Sequence, residues 1–263
     1  MKIDFPSPPA SVPGMSCRSS TPGRVPHDEG ELFRAPHSPH GLADSFTQSL
    51  LERPVYSYIV TTITTNSDRV LQQNGSAPNF GGGRITLCTC KHKDRATFCP
   101  SGDASAAWDN VWVAGLTSKT QDPSRSLAYV MLVERSFPNQ WELWNYLPEE
   151  CRRAKSASHS VLGDVFEPKA GAEREPHNPA NYSAPIKEHV HSPEENPNMW
   201  HHDVMQWGRR SVSHRLLLGD PEWSFRWRKA EMVMKPGAVG ATAHHKLFTT
   251  LRAFIDLLEK YEP

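Results

Sequence analysis

Short runs of β-branched and aromatic residues, separated by breaks rich in proline and glycine, recur through the middle of the chain. Such runs are typical of β-strands. The runs at residues 110–116 and 126–134 are apolar on both alternating faces, which predicts central strands covered on both sides. Six strands are predicted in all, at residues 55–65, 84–90, 110–116, 126–134, 213–218 and 223–228.

Helical spacing of apolar residues occurs in three places. Leu42, Phe46 and Leu50 predict one short helix, and the tryptophans and leucines of residues 138–155 predict one or two more, interrupted by Pro148. From about residue 243, an apolar stripe predicts a final helix that packs on the sheet, with Thr242 as its N-cap. The stripe consists of Leu247, Leu251, Phe254, Ile255 and Leu258.

These elements predict an α+β fold with a mainly antiparallel β core, partly open and barrel-like, a C-terminal packing helix and long irregular loops. Residues 1–54 carry nine prolines and little apolar periodicity, so we expect a disordered tail that ends in the short helix. Residues 55–263 are then a single globular domain. Its longest irregular segment, residues 156–205, contains six prolines, and such a segment is usually functional or disordered.

Composition narrows the possible partners. The 29 basic residues balance the 29 acidic ones, so the chain does not attract nucleic acid by its overall charge, and any such contact must be a local patch. The sequence has no apolar run long enough to span a membrane and no secretory leader pattern. Five cysteines without a regular framework fit a reducing compartment, so we expect a cytoplasmic protein without a membrane partner.

Several strand segments also carry a family pattern. VYSY, APNFGGG, TLCTCK and WVAG begin at residues 55, 77, 86 and 112, and LAYVM and GDVFEP follow at residues 127 and 163. In this order and spacing they resemble the nucleotide modification associated domain 2 family, over about residues 55–235. The resemblance implies a protein of phage, mobile-element or defence gene clusters, linked to modified nucleotides or DNA bases, with no defined reaction.

Histidines and carboxylates concentrate in the irregular segment, where a loop can bring them together. Imidazole titrates near neutral pH, so one histidine is a candidate general base, and a carboxylate is a candidate to orient it or to hold a metal. The alternatives are metal ligands and ordinary solvated loop histidines. No zinc spacing is matched, so no metal or cofactor is assigned. The candidate catalytic residues are Asp164, His189, His191, His202 and Asp203.

Basic and aromatic residues suggest a local nucleic-acid patch. In residues 223–228, aromatic and basic or polar residues alternate, which places them on opposite faces of a strand. Arginines and lysines would hold phosphates while a tryptophan stacks on an extruded base. The alternative is that the aromatics are core residues and the arginines a solvated face. The candidates are Arg84, Lys91, Arg95, Trp200, Trp207, Arg209, Arg210, Arg226 and Arg228.

Two further motifs have structural explanations. Cys88 and Cys90 occupy alternating positions of an apolar strand, where cysteine usually serves as a small core residue. The glycine run at residues 81–83 precedes no helix, so it predicts a connection rather than a phosphate loop.

The function expected from all this is recognition or processing of modified nucleotides or DNA bases. The ligand would be DNA or a nucleotide with a modified base. Two alternatives remain: a non-catalytic reader of modified bases, and a protein-interaction subunit of a DNA-modification complex. Whether the chain is an enzyme stays open at this point.

Overall fold

The structure is a computed structural model, and it describes residues 35–89, 91–97, 108–118, 124–189, 197–206, 214–238 and 245–262. The strands in these ranges are β1 (Val55–Val60), β2 (Ile63–Thr65), β3 (Leu71–Gln73), β4 (Thr86–Leu87), β5 (Trp112–Thr117), β6 (Leu127–Phe137), β7 (Leu216–Arg226), β8 (Met232–Met234), β9 (His245–Phe248) and β10 (Leu258–Lys260). The helices are α1 (Pro39–Asp44), α2 (Gln48–Leu51), α3 (His92–Thr97), α4 (Gln140–Tyr146), α5 (Glu149–Lys155), α6 (His201–Met205) and α7 (Leu251–Ile255).

A six-stranded sheet forms the centre of the domain, in the order β4-β7-β6-β5-β1-β9. Only the β1–β5 pairing within it is parallel, and the other four pairings are antiparallel. Strands β2 with β3, and β8 with β10, form two small antiparallel sheets. The predicted α+β class with a mainly antiparallel core is therefore confirmed, and the sheet is open, with β4 and β9 at its edges.

The central strands lie where the apolar runs predict them. The runs at residues 110–116 and 126–134 correspond to β5 and β6, and both strands are almost entirely buried. The two strands predicted at residues 213–218 and 223–228 are instead the single long strand β7. Two register shifts, one between Met131 and Val133 and one between Val133 and Arg135, keep β7 paired with β6 past the break in the apolar pattern.

The C-terminal prediction was wrong in part. Residues 245–248 form β9, which pairs antiparallel with β1, and helix α7 begins only after it. The N-cap of α7 is Thr250, whose hydroxyl oxygen accepts a hydrogen bond from the N–H of Ala253 at 3.0 Å. Thr242, the predicted N-cap, lies outside the described residues. A short apolar stripe fits either element, and the free edge of β1 determines that this one starts as a strand.

One face of the sheet is apolar and is covered by α1, α2 and α7. Trp112 and Phe225 point to this face, and Phe46 packs on both, with ring centroids 4.7 and 5.5 Å away. The Trp112 indole also donates to the carbonyl of Leu50 at 2.9 Å. Helices α1 and α2 thus supply core side chains ahead of Val55, the predicted start of the globular domain. No helix in the described ranges has the length and apolar content to cross a membrane.

The opposite face carries polar groups, and we call it the tyrosine face. Tyr56, Tyr58 and Tyr129 point to it, because they share one parity in the β1–β5–β6 register. The Tyr129 hydroxyl donates to that of Tyr58 at 2.8 Å. Gly115 lies beneath the Tyr129 ring, where a side chain has no room. Ser224 and Arg226 extend this face along β7.

The described parts of the irregular segment after α5, residues 156–189 and 197–205, contact the rest of the chain, for example through hydrogen bonds from Asn79 to Leu162 and from Phe166 to Gln140. It contains two 3-10 turns, at Pro179–Asn181 and Lys187–His189, before α6. Its side chains form a separate apolar cluster around Phe166 and Trp200, whose stacked rings have centroids 5.4 Å apart. The segment therefore forms an additional layer of the domain.

Replacing Gly115 with alanine should destabilise the protein by about 1–3 kcal/mol, the usual cost of overpacking a core. The added Cβ would lie 2.2 Å from Cε1 of Tyr129, so the ring would have to move. Urea unfolding of Gly115→Ala measures the change in free energy. Gly41→Ala on α1 is the control, since its nearest neighbour is a side-chain hydroxyl at 3.3 Å, and equal losses in both variants would contradict the predicted clash.

Candidate functional site

Helix α3 brings charged groups onto the tyrosine face. Lys91, just before the helix, has a φ of 60°, in the left-handed region, so the chain turns sharply there. Its Nζ lies 5.3 Å from the centroid of the Tyr58 ring. The carboxylate of Asp94 faces the Tyr56 hydroxyl, and burial together with that negative charge raises the pKa of Tyr56.

A histidine and an aspartate connect α3 with α6. Nε2 of His92 is 2.7 Å from Oδ1 of Asp203, which is ion-pair distance, although the angle departs from hydrogen-bond geometry. The His92 ring also stacks on that of His214, with centroids 4.2 Å apart and planes 16° from parallel. The His92 ring thus lies beside a carboxylate and a second imidazole.

His214 is fully buried just ahead of β7. Neither of its ring nitrogens has a hydrogen-bond partner among the residues that the structure describes. Burial, followed by the positive charges of Arg95, His92 and His177, holds the pKa of His214 well below its ordinary value. The ring is therefore neutral at neutral pH, with one donor and one acceptor.

The guanidinium of Arg95 holds these groups in place. Its Nη2 donates to the carbonyl of Cys88 at 2.6 Å, and its Nη1 donates to that of Arg215. The Trp108 indole donates to the Arg95 carbonyl at 2.9 Å. Arg95 therefore ties the end of β4 to the residue after His214. We call this group of residues the α3 junction: Lys91, His92, Asp94, Arg95, Asp203 and His214.

Gln206 ends α6, three residues after Asp203. It has a left-handed φ of 51°, and its N–H donates to the carbonyl of His202 at 3.1 Å. Its side chain is buried, and neither the oxygen nor the nitrogen of the carboxamide has a partner within the described part of the chain. The helix that contributes Asp203 to the junction thus ends in a second buried polar group with unused hydrogen-bonding atoms.

A second polar network lies between β4 and α5. Nζ of Lys155 donates to the carbonyls of Asn79 and Arg84, at 3.2 and 2.6 Å. It also donates to Oδ1 of Asn79 at 2.9 Å and to the Thr86 hydroxyl at 3.1 Å. That hydroxyl in turn donates to the carboxylate of Asp164, with both oxygens 2.9 Å away. One hydroxyl therefore stands between a buried ammonium and a buried carboxylate.

Burial controls the protonation of this network. It lowers the pKa of Lys155 to about 8 and raises that of Asp164 to about 6. It also raises the pKa of the Cys88 thiol well above its usual value, and the nearby Asp164 charge adds to that rise. Cys88 hydrogen-bonds to Asp164 through its thiol and backbone N–H, and to Arg95 through its carbonyl. The network is thus joined to the α3 junction through one residue.

The predicted catalytic residues divide among different surroundings. Asp203 belongs to the α3 junction, and His202 lies next to it on α6. Asp164 is fully buried in the Lys155 network, where it accepts hydrogen bonds from Thr86 and Cys88. His189 is buried in the irregular segment, with its Nδ1 3.2 Å from a backbone carbonyl. His191 lies outside the described residues.

The residues predicted to bind nucleic acid also lie in different parts of the structure. Lys91 and Arg95 belong to the α3 junction, and Arg226 lies on the tyrosine face, 4.4 Å above a phenylalanine ring. Arg84 instead forms an ion pair with a carboxylate of β6. Arg228 is exposed beyond the end of β7. The structure therefore brings Lys91 and Arg226, which are far apart in sequence, to one side of the sheet.

The predicted stacking tryptophans have a different outcome. Trp200 is only 9% exposed and stacks on Phe166, so one face of its ring is already covered. This packing argues for a core role rather than for a stacked base. Trp207, Arg209 and Arg210 lie outside the described residues.

Sequence reasoning did not single out His214 or Gln206 as site residues. Each is one polar residue with no neighbouring motif, so nothing in the local pattern marks it. His92 stands inside the mixed-charge run of residues 91–95, and such a polar run between two regular elements is a common position for functional residues. That run is the local signal that marks the position of His92.

Within the described ranges, no group of three or more histidine, cysteine, aspartate or glutamate residues is arranged to hold a metal ion. Comparison with known proteins adds no assignment, since no protein-family model, no curated protein and no solved structure matches the chain. The resemblance to the nucleotide modification associated domain 2 family stays a prediction.

Replacing Thr86 with valine should cost about 1.5–3 kcal/mol, the usual worth of hydrogen bonds to charged groups. The variant keeps the shape of the side chain but leaves Asp164 without this donor and Lys155 with one acceptor fewer. Urea unfolding measures the loss. Thr86→Ser should restore most of it, and Thr249→Val, at an exposed site, should change little. If Thr86→Val is as stable as the parent, Thr86 does not stabilise the fold by bridging Lys155 and Asp164.

The raised pKa of Asp164 predicts a pH-dependent stability difference. The folded protein binds the proton on the Asp164 carboxyl more tightly than the unfolded chain does. The contribution of this proton to the free energy of unfolding is therefore complete below pH about 4 and is lost as pH rises through about 6. Relative to Asp164→Asn, which cannot titrate, the free energy of unfolding of the parent protein should fall by about 3 kcal/mol over that interval, because each pKa unit corresponds to about 1.36 kcal/mol. Unfolding free energies at several pH values test this, and a constant difference would contradict it.

Proposed function

We propose that this protein recognises or processes nucleotides or DNA bases that carry a modification, and that it does so at the α3 junction. The observation that carries the proposal is the contact of His92 with Asp203 on one side and His214 on the other. The family resemblance supplies the class of substrate. The setting it implies, among phage, mobile-element or defence genes, belongs to the same proposal, as does a cytoplasmic location.

Each group of the junction has a role that suits a nucleotide. His92 lies between the carboxylate of Asp203 and the ring of His214, a position from which a histidine can transfer a proton. Arg95 and Lys91 place positive charge beside these rings, where the phosphate of a nucleotide would be attracted. The buried, neutral His214 offers hydrogen bonds without charge. The arrangement therefore combines proton transfer with anion attraction on one side of the sheet.

A non-catalytic reader of modified bases is the second candidate. The unused hydrogen-bonding atoms of His214 favour it, since they suit recognition as well as catalysis. A reader needs shape and hydrogen bonds but no proton transfer. The two candidates therefore differ in whether the acid–base character of His92 is required.

The test is incubation of the protein with nucleotides and short DNA strands that carry methylated, hydroxymethylated or unmodified bases. Calorimetry measures binding and mass spectrometry detects products. Asp203→Asn should lower turnover on the order of 10²-fold, the scale of general acid–base catalysis, while binding changes little. Asp44→Asn is the matched control, because Asp44 pairs with His40 at an exposed site with 3.1 Å between the charged atoms.

The outcomes separate the candidates. A product that Asp203→Asn no longer makes at the parent rate supports an enzyme. Binding of modified bases without any product supports a reader. If none of these compounds binds and none gives a product, the proposed function is overturned.

A further inference from the structure

We propose that His214 and Gln206 bind the edge of an uncharged heterocyclic base, so that binding at the α3 junction depends mainly on the ring of the ligand and less on its phosphate. This inference rests on the proposed function and names the part of the nucleotide that is recognised.

The starting point is four buried atoms without partners. They are the two ring nitrogens of His214 and the carboxamide oxygen and nitrogen of Gln206, and none has a hydrogen-bond partner in the described ranges. The two residues are 0% and 1% exposed. Burying a polar group unpaired is unfavourable, and most such groups in folded proteins are paired with the chain, with water or with a ligand. Gln206 follows Asp203 by three residues, and Asp203 contacts His92, whose ring stacks on His214. This chain of contacts places the four atoms in one region, where they indicate a ligand site.

The chemistry of these atoms argues for a base and against a phosphate. Neutral His214 has one donor and one acceptor, and Gln206 likewise has a donor and an acceptor. A phosphate only accepts hydrogen bonds, so it would leave the Gln206 oxygen and one His214 nitrogen unpaired. The edge of a heterocyclic base presents donors and acceptors side by side, which can satisfy both kinds of atom.

The packing of His214 also defines the approach. One face of its ring is covered by His92, at a centroid distance of 4.2 Å. The nitrogens lie on the ring edge, so a ligand reaches them in the plane of the ring. A flat heterocycle that approaches edge to edge meets this requirement. Because the atoms are buried, a base within a duplex would have to be extruded first.

The experiment separates the ring from the phosphate with defined probes. They are the four common deoxynucleosides, methylated deoxyadenosine and deoxycytidine, the corresponding monophosphates, and deoxyribose phosphate, which lacks a base. Calorimetry measures the affinity of each. We expect the dissociation constant of at least one nucleoside to lie within about tenfold of that of its monophosphate. Deoxyribose phosphate should not bind measurably.

Two variants test the assigned residues. Gln206→Leu and His214→Phe should each weaken nucleoside binding by about tenfold or more, because they remove the paired atoms. The melting temperature of the ligand-free variants should stay unchanged or rise, because each variant removes a buried polar group that lacks a partner. A merely structural side chain would give the opposite change in melting temperature.

Gln73→Leu is the matched control. Gln73 is also a buried glutamine, but its amide donates to the carbonyls of Gly75 and Pro78. Its replacement should lower the melting temperature and leave nucleoside affinity unchanged. The two glutamine variants thus compare Gln73, whose side chain is hydrogen-bonded within the chain, with Gln206, whose side chain is proposed to bond a ligand.

Each result has a distinct meaning. If no nucleoside, monophosphate or modified strand binds, the proposed function fails and this inference fails with it. If monophosphates bind but deoxyribose phosphate binds equally well, the proposed function stands and the inference is overturned. If Gln206→Leu and His214→Phe both melt at lower temperature and bind as the parent does, the two side chains are structural and the inference is overturned.

Discussion

A single hydroxyl group, that of Thr86, stands between the ammonium of Lys155 and the carboxylate of Asp164, and much of the structure depends on it. Two charges buried this deeply are costly unless hydrogen bonds satisfy them. Here the carbonyls of Asn79 and Arg84 complete the shell of the ammonium. The network joins the edge strand β4 to α5 and to the segment that follows it. Cys88, which follows β4, bonds to both Asp164 and Arg95 and so joins this network to the α3 junction.

The sheet separates packing from chemistry by its two faces. The face covered by α1, α2 and α7 is aromatic and apolar, whereas the tyrosine face carries hydroxyl groups and receives the charged helix α3. Alternation along the strands makes this division, since neighbouring residues point to opposite sides. Phe225 and Arg226 illustrate it: the first packs on the core aromatic Phe46, and the second lies over Phe80 on the other side.

The candidate site was only partly predictable from sequence. The mixed-charge run that contains Lys91 and Arg95 and the carboxylate of Asp203 were recognised as chemically important, and the structure places them together. Asp164 looked equally suitable by residue type, but its partners are Lys155 and a strand residue 78 positions away, so its structural role depends on the fold. His214 lacks any local motif, and its importance comes from its burial against His92.

The sequence by itself determined the elements whose signal is local: the buried strands β5 and β6 and the helices on either side of Pro148. Tertiary structure decided the rest. Residues 245–248 became a strand because β1 has a free edge, although their pattern also suits a helix. Whether a histidine or carboxylate stabilises the fold or is available to bind a ligand depends on the groups that contact it. These groups are distant in sequence, so the local pattern does not predict them.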